Sequence, residues 1–102
     1  MGNPYPIKLI DDIADSDDLW LVGDFCEAHG AKVLDGRQNA DRYCDAAIYS
    51  LYPAHLIVGV EGGVICVDDD ELAYQCRSIK NHGRPAGSNY FDFQQVGFNA
   101  KW

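Results

Sequence analysis

"LWLVGD", residues 19–24, is the stretch that decides the fold. Four apolar residues end abruptly at Gly23 and Asp24. A short continuous apolar run of this kind predicts a strand buried on both faces, as in a parallel sheet. Two further runs follow it. "DAAIYSLY", residues 45–52, reads as a second strand, and "GGVICV", residues 62–67, as a third, with Val64, Ile65 and Val67 favouring β structure. Ahead of the first strand, "PIKLIDDIADS", residues 6–16, sets Ile7, Ile10, Ile13 and Ala14 at helical spacing, with Pro6 suited to a first turn. Behind the third strand, "DDDELAYQCRSIKNHG", residues 68–83, predicts a helix. Asp68 caps it and Glu71 completes a capping box; Leu72, Cys76 and Ile79 form its apolar face, and Gly83 stops it.

Helix, strand, strand, strand, helix is an α/β pattern in one domain, residues 1–102, without internal repeat or linker. The last segment, "RPAGSNYFDFQQVGFNAKW", residues 84–102, has no periodicity and reads as a long loop whose aromatics have nothing evident to pack on. Both edges of a three-stranded sheet would be open. The pattern therefore reads as a segment of a larger fold, or as a chain that needs a partner.

Composition narrows the function. Of the 102 residues, 47% are hydrophobic, so the chain is not a disordered tail. A formal net charge of −8 argues against a nucleic-acid backbone or an anionic membrane as the main partner, and solubility is the simpler reading of the acidity. No apolar run approaches a membrane span, and the N-terminal residues carry no secretory pattern. Cys26, Cys44, Cys66 and Cys76 form no C-x-x-C pair and fit no common zinc spacing, so no metal is expected. Reduced thiols in a cytoplasm follow from these readings.

Chemistry-bearing residues are few. In open α/β sheets ligands bind beyond the carboxyl ends of the strands, where Asp24 would stand. On position alone, Asp24 either meets a ligand or caps a following helix, "FCEAHGA", residues 25–31. Cys26 and His29 make a single C-x-x-H pair, which is half a metal site at best, and His29 reads as a surface helix residue. His82 reads as a helix-end histidine. In "SLYPAHLIVGVEGG", residues 50–63, His55 lies between two apolar runs, five residues after Ser50 and six before Glu61, and on composition and periodicity it reads as a structural histidine between two strands.

In order along the chain, "GDFCEAHGA", then "AIYSLYPAHLIVGVEGGVICVDDDELAYQCRSIKNHGR", then "GFNAKW" resemble the DegT/StrS family of sugar aminotransferases. The similarity runs through nearly the whole chain. It implies the type I fold of pyridoxal-phosphate enzymes, of which this chain would be the central part of the large domain, without the family's N-terminal part and C-terminal domain. It implies pyridoxal 5'-phosphate or pyridoxamine 5'-phosphate as cofactor, a nucleotide-linked sugar as substrate, and a homodimer or a complementary chain as partner.

The resemblance also assigns roles. Asp24 matches the aspartate that keeps the cofactor's pyridine nitrogen protonated. Glu27 stands where the family usually has a glutamine near the ring hydroxyl. Ser50 matches the phosphate-binding serine, and Asn99 an asparagine that reaches the phosphate across the dimer interface. His55 stands at the position of the Schiff-base lysine. An imidazole cannot hold the aldehyde stably, but it can act as a general base near neutral pH. Within "SLYPAH" it resembles a branch of sugar-nucleotide 3-dehydrases that use the amine form of the cofactor. Gly23 and Val60 depart from the family, which commonly has an acidic residue and a glycine there. With half a cofactor site, the isolated chain is expected to have little catalysis, and a remnant or interaction module is the alternative.

Overall fold

Residues 5–33, 36, 39–85, 87–88 and 91–100 are described by a computed structural model. They belong to two compact units, Met1–Cys66 and Val67–Trp102.

The first unit opens with α1, Ile7–Ser16, with Pro6 as its N-cap. The helical spacing serves its purpose: Ile7 and Ala14, seven residues apart, are its buried residues. The helix ends in a Schellman arrangement. The Leu19 N–H donates to the Ala14 carbonyl at 2.9 Å and the Asp18 N–H to the Asp15 carbonyl at 3.4 Å, with Asp18 left-handed at φ 54°.

Strand β1, Val22–Asp24, pairs in parallel with β2, Ala46–Ser50, in the register Val22↔Ala46, Gly23↔Ala47, Asp24↔Ile48. The third strand, β3, Gly63–Val67, completes the order β1-β2-β3. The expected strand buried on both faces is corrected here. Gly23 is buried, whereas Val22 remains 56% exposed, because only one face of β1 is covered in this unit. Gly23 has a packing reason, since a Cβ there would run into the Phe25 ring and the Cys44 sulfur. Ile7, Phe25, Ala40 and Ala47 form the core, joined by Leu21, Tyr43 and Tyr49 among others. A short 3-10 helix, Ala40–Tyr43, leads into β2.

The helix expected over residues 25–31 does not form. The Asp24 carboxylate takes the Cys26 N–H at 3.0 Å, an Asx turn that competes with helix initiation. Two tight turns follow, closed by Ala28 N–H to the Phe25 carbonyl (2.9 Å) and Ala31 N–H to the Ala28 carbonyl (3.0 Å), with Gly30 at φ 71°.

The second unit holds α2, Asp70–Ile79. Its cap is Asp69, one residue later than the sequence suggests: its carboxylate accepts the Leu72 N–H at 2.6 Å. Glu71 instead accepts from the Gln75 amide at 2.8 Å. The long final segment is without helix or strand in its described residues, and it straps the helix end. Phe98 N–H donates to the Ile79 carbonyl (2.7 Å), His82 N–H to Phe98 (2.9 Å) and Ala100 N–H to Lys80 (3.0 Å). Gln95 donates to both Gln75 Oε1 and the buried Ser78 Oγ at 2.9 Å. Gly83, at φ 74°, lets the Gln95 carbonyl approach where a Cβ would stand. The exposed aromatics do find company: the Arg84 guanidinium lies 4.9 Å from the Phe91 ring and 5.3 Å from the Phe93 ring.

Candidate functional site

Parallel pairing of β1 and β2 brings their carboxyl ends to one edge of the sheet. Asp24 ends β1 and Ser50 ends β2. Glu27 lies in the turn after β1 and His55 in the turn after β2, where the His55 N–H donates to the Tyr52 carbonyl at 2.9 Å. So four of the five residues singled out in the sequence come from the ends of two adjacent strands. The fifth, Asn99, belongs to the second unit, where it forms an isolated antiparallel bridge with Asn81.

Asp24 is exposed and held as an anion. The thiol of Cys26 and then its backbone N–H stabilise the carboxylate, and a positive charge on His55 adds to this, so its acidity rises above that of an ordinary aspartate. The same contact acts in reverse on Cys26, whose thiol is pushed up by the Asp24 carboxylate. Ser50 Oγ accepts the Tyr52 N–H at 3.0 Å, which fixes the start of the 51–62 loop. Leu51 ties that loop at both ends, its N–H donating to the Gly62 carbonyl (2.9 Å) and its carbonyl accepting from Gly59 (2.8 Å).

His55 Nε2 lies 3.8 Å from Glu27 Oε1, with side-chain exposures of 20% and 47%. The edge of the His55 ring meets Tyr52, centroids 5.5 Å apart. His55 Nδ1 is shut off from solvent and has no hydrogen-bond partner. Sequence reading missed Cys26 and Tyr52 as neighbours of the site. The D-x-C spacing of an Asx turn and the three-residue step from Tyr52 to His55 were the available signals.

The C-x-x-H pair is corrected. His29 lies in a turn, not on a surface helix, and is partly buried. Its ring sits 5.2 Å from that of Tyr49, and both its nitrogens are buried without partners. Tyr49 donates to Asp41 Oδ2 at 2.5 Å; burial first, then this bond, push its hydroxyl well above the ordinary range. Among the described residues, no group of three or more His, Cys, Asp or Glu can hold a metal ion, and no helix is long and apolar enough to cross a membrane. All four cysteines are free.

The sequence pattern of the DegT/DnrJ/EryC1/StrS aminotransferase family matches residues 1–102. The chain belongs to this family. Within it, the chain is 35% identical over 83 residues to a GDP-4-keto-6-deoxy-D-mannose 3-dehydratase of Yersinia pseudotuberculosis, covering 81% of this chain and 21% of that protein. It is 38% identical over 83 residues to a dTDP-3-amino-3,4,6-trideoxy-alpha-D-glucose transaminase of Micromonospora megalomicea subsp. nigra, 80% of this chain and 22% of that one. Its fold matches the crystal structure of NtdA from Bacillus subtilis with bound cofactor PMP, with a TM-score of 0.82 and 26% identity over 96% of this chain and 21% of that chain. The α/β reading, as a fragment of the fold of these enzymes, therefore stands. The chain spans about a fifth of the length of the family members it matches.

Proposed function

We propose that the chain is the central segment of the large domain of an enzyme that uses pyridoxamine or pyridoxal phosphate on nucleotide-linked keto-sugars, in the cytoplasm, with His55 as the base in place of a Schiff-base lysine. One observation carries this: Asp24 and Ser50 end a parallel strand pair, and Glu27 and His55, in the turns that follow, approach to 3.8 Å. The donor set fits the cofactor. Asp24 remains an anion and is suited to a protonated pyridine nitrogen. With its oxygen already accepting from Tyr52, the Ser50 hydroxyl keeps its own proton to donate to a phosphate. Position 55 supplies no amine, which suits the amine form of the cofactor.

The cofactor supplies an electron sink. The chain's residues do the rest. With the cofactor bound, Asp24 would keep the ring nitrogen charged, Ser50 would anchor the phosphate, and Glu27 would stand near the ring hydroxyl. His55 would take up a proton on its imidazole, as the base of a reaction in which the sugar 3-hydroxyl is lost. Asn99, by the family pattern, reaches the phosphate across a homodimer interface. The 3-dehydratase relative supports this direction, and the transaminase relative keeps amino transfer as the runner-up.

The test is a titration of pyridoxamine phosphate into the chain assembled with complementary segments of a longer relative. A ring absorbance change is expected, and it should be lost in Asp24→Ala. No change in either protein would sink the reading. A second, non-catalytic reading is favoured by the apolar side chains left open, Val22 at 56%, Ile65 at 53% and Leu56 at 66% exposure. A purified chain that turns over a nucleotide keto-sugar would refute that one.

A further inference from the structure

We propose that Glu27 is a positioning residue for His55, and that its carboxylate, not a neutral amide, is what this position supplies; the proposal rests on reading His55 as the base. Only one ring nitrogen of His55 has a partner. Nε2 faces Glu27 Oε1 at 3.8 Å, while Nδ1 is closed off without one. That distance is too long for a hydrogen bond, so the contact acts through charge. Charge is what separates Glu27 from the glutamine that the family usually has here.

The surroundings hold the pair in this relation. The Tyr52 ring meets the imidazole edge at 5.5 Å, and the Tyr52 carbonyl accepts the His55 N–H at 2.9 Å, so ring and backbone are both fixed from one side. From the end of β1, the Asp24 carboxylate also feels the histidine's charge, but it is engaged by the N–H and thiol of Cys26. Glu27, from the turn after β1, accepts no hydrogen bond among the described residues that would compete in the same way. Among the described residues, the groups set against the imidazole are Asp24, Glu27 and the Tyr52 ring.

The chemical consequence is simple. When His55 takes a proton, the ring gains one positive charge beside the Glu27 carboxylate. The new charge is met at Nε2 by Oε1. The step is a proton transfer alone: the imidazole would take up one proton and gain one positive charge, with no change of oxidation state. A glutamine at position 27 gives the protonated ring a dipole only.

The test uses the 102-residue chain, with the histidine rings followed by long-range proton–nitrogen spectra at one fixed pH. Glu27→Gln should move the His55 ring-nitrogen signals, because the carboxylate beside Nε2 is removed. Glu27→Asp should move them less, and the signals of His29 and His82 should stay in place. Unmoved His55 signals in Glu27→Gln overturn the proposal. The cofactor titration separates this from the base reading. Pyridoxamine phosphate binding with unmoved His55 signals sinks the pairing alone. Moved signals without cofactor binding sink the base reading and leave the pairing standing.

Discussion

The carboxylate of Asp24 accepts the backbone N–H of Cys26 at 3.0 Å, and the thiol of the same residue also stabilises it. One residue thus holds the anion twice. The coupling is reciprocal, because an anionic neighbour disfavours a thiolate. Asp24→Asn should therefore speed alkylation of Cys26 by iodoacetamide at mildly alkaline pH, by about threefold to tenfold, since the thiolate is the reacting form. Peptide mapping distinguishes Cys26 from the other three cysteines. An unchanged Cys26 rate would show that the contact carries no coupling.

The sign for acid follows from the same bond. The folded protein holds Asp24 below its unfolded value, so folding binds that proton less tightly. The stabilisation is present above the ordinary aspartate value, about 3.9, and is lost as pH falls through the lower folded one. A Cys26→Ala chain should lose part of it and raise the Asp24 midpoint in carbon-detected carboxyl spectra. Cys26→Ser should retain most of it, because a hydroxyl also donates.

Much of this arrangement was legible in the sequence, and the failures have physical causes. The apolar run before Asp24 announced β1, but the one-sided cover left Val22 open, which no local pattern reveals. Three aspartates in a row, Asp68 to Asp70, made the cap of α2 uncertain by one register, and the backbone chose Asp69. The segment from Phe25 to Ala31 has helix-forming residues, yet the Asp24 side chain and Gly30 turn it twice. The approach of Glu27 to His55 spans a strand crossover, so it is a property of the parallel register and not of spacing.

Asp18 ends α1 in the left-handed region at φ 54°, where glycine is at ease and a β-carbon is not. Asp18→Gly should stabilise the chain by about 0.5–1 kcal/mol, after the unfolded-state entropy of glycine is set against the relief. Denaturant melts check this. A loss of stability would mean that the Asp18 side chain itself does more than its backbone requires.

Gly83 poses the opposite case. Its φ is 74°, and a Cβ there would overlap the Gln95 carbonyl, part of the strap over the end of α2. Gly83→Ala should cost about 2–4 kcal/mol, combining backbone strain with overpacking. Hydrogen exchange should quicken first at the N–H groups of Gln94, Phe98 and Ala100, which are bonded in the strap. Uniform loss of protection along the whole chain would point to global unfolding instead.

Tyr49 bears on alkaline stability. Burial and the bond to Asp41 raise its folded value above the unfolded one, so its contribution is complete below the ordinary tyrosine value, about 10, and is lost as pH rises beyond it. Tyr49→Phe should flatten this alkaline decline. At neutral pH it should destabilise by about 1–3 kcal/mol, because Asp41, whose other oxygen is already buried without a partner, then loses its donor. Ultraviolet titration of the phenols, compared with stability at each pH, measures both effects.

The last expectation turns on the identity of residue 55. A histidine there cannot form a stable covalent link to the aldehyde of pyridoxal phosphate, whereas His55→Lys restores an amine at the position that the family pattern gives to the Schiff-base lysine. In the assembled protein, borohydride reduction should fix pyridoxal phosphate at residue 55 of the variant in preference to Lys8, Lys32 and Lys80, which are exposed. Those lysines serve as internal controls, since all four amines meet the same solution. Adding Asp24→Ala to the variant should reduce labelling at residue 55 and leave the controls unchanged, because only residue 55 would share a bound ring with Asp24. Equal labelling at all four positions would show that the ends of β1 and β2 do not gather the cofactor, and the site reading would fall with it.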